Sequence, residues 1–257
     1  MTDLREALFL VVDTETTGNI PGKDEAIQVA VALMSVDNLQ IYVSGSRLCK
    51  PTIPITAGAS AVHHILDEDV VDAPNLVTVL KGIGAELADK GKPHAYAAHN
   101  APFDASMLPI NKAPWLCTLR MARKLYPAVE SHKNQVLRYA LKLPVPRSNR
   151  GHNAAEDVQT TSMLLQRMLQ TVLADDGMPK TLEDLLAWVD APFLIENCPL
   201  TKHKGKPWAQ VVKDDPEYCK WVLSEDFRDL NPDTRHTILH WRDIQWPNGW
   251  PARKGLR

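Results

Sequence analysis

The sequence predicts an α/β protein, a mixed sheet flanked by helices with a small second module after it. Three observations carry this. Strand-like apolar segments come first and in succession, and helical periods then alternate with short strand-like runs, an order that builds a mixed sheet covered by helices. Strict strand–helix alternation is missing, and no GxGxxG or GxxxxGKS/T loop occurs, so phosphate cradling by a glycine loop is set aside. The 257 residues are 44% apolar and 23% charged, an ordinary balance for a chain that buries a core.

The elements follow in order. Leu8 to Val12 is a continuous apolar run and reads as a buried central strand. Ala26 to Val36 and Leu39 to Leu48, around Asp37-Asn38, read as a hairpin pair added to it. Pro51 and Pro54 break the pattern. Asn75 to Ala88 sets Leu76, Val79, Leu80, Ile83 and Leu87 at helical spacing. His94 to Ala98 is a short strand, Ala101 to Leu108 a helix, Trp115 to Thr118 a strand, and Leu119 to Leu125 and Gln135 to Leu141 are helices. Pro144 and Pro146 mark a loop. Asn153 to Leu173 is the longest helix, with Val158, Leu165, Leu169 and Val172 among its apolar positions. Asp175-Asp176-Gly177 and Pro179 read as a linker, so the expected division is 1–175 followed by 176–257. The second stretch holds six of the seven tryptophans.

A formal net charge of −2 lacks the footprint of a strong non-specific nucleic-acid binder, so any nucleic-acid chemistry has to be local. Cys49, Cys117, Cys198 and Cys219 form no CxxC pair and read as reduced, buried thiols. The run Ala7 to Val12 is too short for a leader or a membrane span and stops at Asp13, so a cytoplasmic location without membrane contact is expected.

The chemistry begins at Asp13-Thr14-Glu15. Residues two apart in a strand share a face, so both carboxylates aim at one place while Thr14 points away. Such a pair alone is an ordinary solvated strand end. Two later segments change its weight. His99-Asn100-Ala101-Pro102-Phe103-Asp104 and His152-Asn153-Ala154-Ala155-Glu156-Asp157 both read H-N-A-x-x-D. In each, Asn suits a helix cap and Asp falls in the first turn, where the helix dipole favours a negative charge. Either copy alone is explained by capping. Together, four carboxylates and a histidine at one sheet end are the equipment for phosphodiester hydrolysis by two cations roughly 4 Å apart. Oxygen ligands favour magnesium or manganese over zinc. Spacing leaves the base open between His99 and His152. Arg120, Arg123 and Lys124 share one helix and are either phosphate holders or a solvated face. Lys202, His203, Lys204 and Lys206 form a second basic run. Trp241, Trp246 and Trp250, interleaved with Arg242 and Arg253, either stack bases or pack their own module.

These residues resemble a known family. Val12-Asp13-Thr14-Glu15-Thr16-Thr17-Gly18 resembles the first motif of the DEDD exonuclease superfamily, and Ala98-His99-Asn100-Ala101-Pro102-Phe103-Asp104 resembles the second. His152 and Asp157, five apart, match the third motif of the branch with a catalytic histidine (DEDDh). Ala61-Val62-His63-His64-Ile65, the segments at Trp115 and Ala122, and Lys202 to Lys206 with Asp215 to Trp221 are similar to the exonuclease X family. Leu200-Thr201 stand where that family usually has Phe-Gly, and the tail from Gln245 is additional. The resemblance implies a ribonuclease-H-like fold with a five-stranded sheet in the order 3-2-1-4-5. It implies metal ligation of two Mg2+ or Mn2+ ions by Asp13, Glu15, Asp104 and Asp157, with Asp13 bridging and His152 as general base. It leaves His99 structural or substrate-side, and puts Thr16, Gly18, Asn19, Ile20, His64 and Asn100 beside the substrate. The activity implied is 3′→5′ release of nucleoside 5′-monophosphates from DNA 3′ ends, single strands first, by a chain that is often a homodimer in the family. RNA trimming with the same site, and a silent nucleic-acid-binding module, are the alternatives.

Overall fold

The first strand has no polar side chain between Leu8 and Val12, which suits it to a position covered on both faces. The computed structural model describes residues 1–110, 113–146, 153–228 and 230–251, with the backbone alone at 43 and 44. In it β1 (Leu8–Thr16) is the middle strand of five, in the order β3-β2-β1-β4-β5. β2 (Ala26–Ser35) and β3 (Ile41–Leu48) form the expected antiparallel hairpin. The short helices α1 (Ala57–His63) and α2 (Asp67–Val70) follow the prolines, and α3 (Leu76–Glu86) starts at Asn75, whose side chain accepts from the Thr78 amide. β4 (Ala95–Ala98), α4 (Ala101–Met107), β5 (Trp115–Cys117), α5 (Thr118–Leu125) and α6 (Asn134–Ala140) lie within a residue or two of their predicted bounds. β4 pairs parallel with β1, and β5 with β4, so all three point their C-terminal ends to one edge.

The longest helix, α7 (Ala154–Ala174), packs on β1 and β2. Its Val158, Leu164, Leu165, Met168, Leu169 and Val172 are fully buried among Phe9, Val11, Ala97 and Leu116. Each fully buried Leu there contributes on the order of 1.5–3 kcal/mol. The opposite sheet face is covered by Val79, Ile83 and Leu87 at the helical spacing of the third helix.

The expected division after residue 175 is corrected. The chain forms two units, Met1–Asp190 and Ala191–Arg257. The stretch after the acidic break contains α8 (Leu182–Asp190), whose Leu182, Leu185 and Val189 are buried in the core of the first unit. Arg120 donates to the carbonyls of Val189 (3.1 Å) and Asp190 (3.2 Å), and Lys124 to that of Trp188. Cations on the last carbonyls complement the helix dipole. Arg120 and Lys124 therefore close a helix end.

The second unit builds its own core. α9 (Trp208–Asp214), α10 (Pro216–Val222) and α11 (Pro232–Gln245) bury Trp208, Val212, Cys219, Val222 and Ile238. Trp241, Trp246 and Trp250 pack against this core, which is the packing alternative for the tryptophan-rich tail. All four cysteines are free and buried. Among the described residues, no helix is long and apolar enough to cross a membrane.

Candidate active site

The edge where β1, β4 and β5 end gathers the predicted carboxylates. Asp13 and Glu15 leave β1 on one face, paired across to Ala30 and Gln28 of β2, and the register slips between Glu15 and Thr16. A slip of this kind bends a strand and re-aims its last side chains. Asp157 arrives from the first turn of α7. That turn is fixed twice: Asn153 accepts from the Ala155 amide (3.1 Å), and Gln28, opposite Glu15, accepts from the Ala154 amide (3.1 Å). Asp13, Glu15 and Asp157 each bring a carboxylate oxygen within 4.8 Å of the others. Gln135 donates to Asp157 at 3.5 Å, and the buried Arg138 donates to Gln135 at 2.9 Å.

Asp104 lies outside that group of three but beside it. It is buried in the first turn of α4 and accepts from the Thr14 hydroxyl at 2.9 Å. Thr14, expected to point away, thus holds the fourth carboxylate. Electrostatics tie the four together. Burial pushes Asp13 well above the usual carboxylate range, and the charges of Asp104, Asp157 and Glu15 push it further. Burial raises Glu15 to about 7, with Asp157 and Asp104 adding to it. Burial raises Asp104 to about 7 against the opposing hydrogen bond from Thr14. Such a set gives up its protons most readily to a cation. The donors are all hard oxygens, the set that suits magnesium or manganese.

The histidines separate clearly. His152 lies outside the described residues. His99 is engaged at both nitrogens: Nε2 donates to the His132 carbonyl (2.8 Å), and Nδ1 lies 3.0 Å from the Thr118 hydroxyl. Burial lowers it to about 4, so it stays neutral as a strut between segments. His63 is buried, and its Nε2 donates to the Thr16 carbonyl (3.2 Å), pinning the end of the first strand. His64 is exposed at φ +61° just past α1.

A cleft of about 420 Å³ opens next to Glu15, lined by Thr16, Gly18, Asn19, Thr56, Val62, His63 and Phe103 among others. Of the residues expected beside the substrate, Thr16, Gly18 and Asn19 line this cleft, and Ile20, His64, His99 and Asn100 do not. Asn100 occupies the capping position of α4 at φ +81° but makes no cap hydrogen bond with its side chain. Thr56, Val62, His63 and Phe103 are among the wall residues that sequence reasoning missed. Phe103 stands next to Asp104 in the first turn of the helix, which was a readable signal. Gly18 is needed as glycine, because a Cβ there would sit 2.5 Å from the Asp24 carboxylate. That carboxylate accepts from the Thr17 hydroxyl (3.0 Å) and the Ile20 amide (2.8 Å), fixing the loop beside the cleft.

Comparison with known proteins gives a family. A family model described as exonuclease matches residues 10–165. The chain is 30% identical over 237 residues to Exodeoxyribonuclease 10 of Escherichia coli (strain K12), covering 91% of this chain and 98% of that one. A solved structure of exonuclease X in complex with 5′ overhanging duplex DNA superposes with a TM-score of 0.56 at 28% identity, over 70% of this chain and 99% of that chain. The nuclease domain of 3′hExo, a DEDDh member bound to rAMP, gives a TM-score of 0.54 at 18% identity over 66% of this chain and 95% of that one, and speaks for the fold alone.

Proposed function

We propose, from the premise that this chain belongs to the exonuclease family, that it is a 3′→5′ exodeoxyribonuclease releasing nucleoside 5′-monophosphates from DNA 3′ ends. The observation that carries the reading is the meeting of Asp13, Glu15 and Asp157 within 4.8 Å at the end of the central strand. Four neighbouring carboxylates repel a phosphodiester as they stand. Two divalent cations, when bound, would supply the positive charge that admits the phosphate and makes a water acidic near neutral pH. Asp13, Glu15, Asp104 and Asp157 would hold them, and the raised carboxyls fit such a donor set.

In this reading His152, matched through the third motif, accepts the proton of the attacking water. The water oxygen bonds to phosphorus, the bond from phosphorus to the 3′ oxygen breaks, and that oxygen leaves as a hydroxyl. The cleft beside Glu15 takes the terminal nucleotide, with Phe103 as a stacking face and Thr16, Gly18 and Asn19 along the wall. His99 positions the β4–α4 turn through its two ring contacts. DNA is preferred over RNA in this proposal because the relative covering most of the chain is named an exodeoxyribonuclease.

The test is a time course on 5′-labelled single- and double-stranded DNA and RNA, with magnesium or with chelator. Stepwise shortening and 5′-mononucleotide products are expected only with metal, and Asp13→Ala should lose at least about a thousandfold in rate. Undiminished activity in Asp13→Ala, or in chelator, would remove the mechanism. RNA cut as fast as DNA would remove the substrate assignment alone.

A further inference from the structure

The second unit has a cleft of its own that the hydrolytic site does not use. It measures about 540 Å³ and is lined by Leu200, Thr201, Lys202, Tyr218, Trp221 and Phe227. Trp221 is 48% exposed, although three other tryptophans of this unit pack against its core. The rings form an ordered wall. Trp221 meets Phe227 edge-to-face at 5.1 Å and 89°, and Tyr218 lies 5.8 Å from Trp221 at 37°. Lys202 sits 4.8 Å over the Tyr218 ring and is paired with Asp215 at 2.7 Å, so its stem is a fixed part of the wall. The chain then turns through Gly205 at φ +82°, bringing exposed Lys204 and Lys206 into the same short segment.

We propose that this cleft binds single-stranded nucleic acid. A base stacks on the open face of Trp221, with Phe227 as the perpendicular side wall, and the backbone phosphates face the segment Lys202 to Lys206. Base–aromatic stacking tolerates any sequence, because every base has a π-face, and lysines nearby supply the counter-charge that an apolar peptide would not need. Identifying the bound strand as the chain's own substrate rests on the nuclease reading; the binding itself does not. A strand held here is retained between cleavage events, so the site acts on affinity for long strands and leaves the chemical step alone.

The experiment uses the full chain carrying Asp13→Asn, so that strands stay intact, and follows the anisotropy of a fluorescent oligo(dT) of about 30 nucleotides. Trp221→Ala should weaken binding about tenfold, and Trp221→Phe should retain most of it. Lys204→Ala with Lys206→Ala should flatten the salt dependence. In the active chain, Trp221→Ala should raise KM for long strands and leave both kcat and dinucleotide cleavage unchanged. Photocrosslinks from 5-iodouracil should map to Trp221, Tyr218 or Phe227. Unchanged oligo(dT) affinity in a folded Trp221→Ala chain, or crosslinks confined to the first unit, overturns the proposal. Binding is read without turnover, so a silent hydrolytic site leaves this result standing, and lost stacking leaves dinucleotide cleavage standing.

Discussion

A buried carboxyl must keep its proton or meet a cation, and Glu15 and Asp104 show what that does to pH behaviour. Both are raised to about 7 by burial, from ordinary values of 4.5 and 3.8. The folded chain therefore binds more protons than the unfolded chain between those limits, and folding stability falls as pH rises through that window. The contribution is complete below about pH 4 and lost above about pH 7. In chelator, the melting temperature should decline from pH 5 to pH 7.5, and Asp104→Asn should flatten the slope. Saturating magnesium should remove it, since a cation stabilises the ionised form. A flat profile in chelator would show that these groups ionise freely. Gln135 gives a second prediction at this scale. It donates to Asp157 and is itself held by Arg138. Gln135→Ala should raise the magnesium needed for half-maximal cleavage about tenfold, the usual effect of losing a group that orients a ligand.

Helix α7 carries both core and chemistry, so its ends and its middle should respond differently to substitution. Asn153→Ala removes the cap at Ala155 and should cost about 1 kcal/mol. Leu165→Ala, in the fully buried stripe, should cost about 2–5 kcal/mol. Denaturant midpoints measure both, and equal costs would mean that the buried stripe is not the main anchor. This helix was legible because its apolar positions repeat over 21 residues. The helices α1 and α2 were not, because seven and four residues are too few for a period to emerge. The Thr56 hydroxyl accepts from the Ala59 amide and caps the first of them. The buried face of α8, at Leu182, Leu185 and Val189, had readable spacing but followed an acidic turn that looked like a linker. The capping role read for Asn100 failed for a different reason: the turn after β4 holds it at positive φ, and its side chain makes no cap hydrogen bond there.

Across the whole chain, the sheet order was accessible only through resemblance, because β1 meets β4 through a crossover of some eighty residues that no local pattern encodes. The four acidic motif positions were legible from spacing, whereas the cleft wall at His63 and Phe103 depends on which loops the fold brings side by side. Two units with separate cores should also fail separately. Trp208 is fully buried in the second, and Trp208→Ala should cost about 3–5 kcal/mol there. Hydrogen exchange should then rise in peptides spanning 208–245, with the peptides of the first core unchanged. The buried cysteines make this visible by another route. Burial pushes Cys49 to about 11 and Cys219 to about 12, and it raises Cys198 as well, so these sulfurs stay protonated and slow to react while the fold is closed. Cys49 and Cys117 belong to one unit, Cys198 and Cys219 to the other. Each pair is thus a native stopwatch: the mass gained from an alkylating reagent over time records how often its own half of the chain breathes open, with no label engineered in.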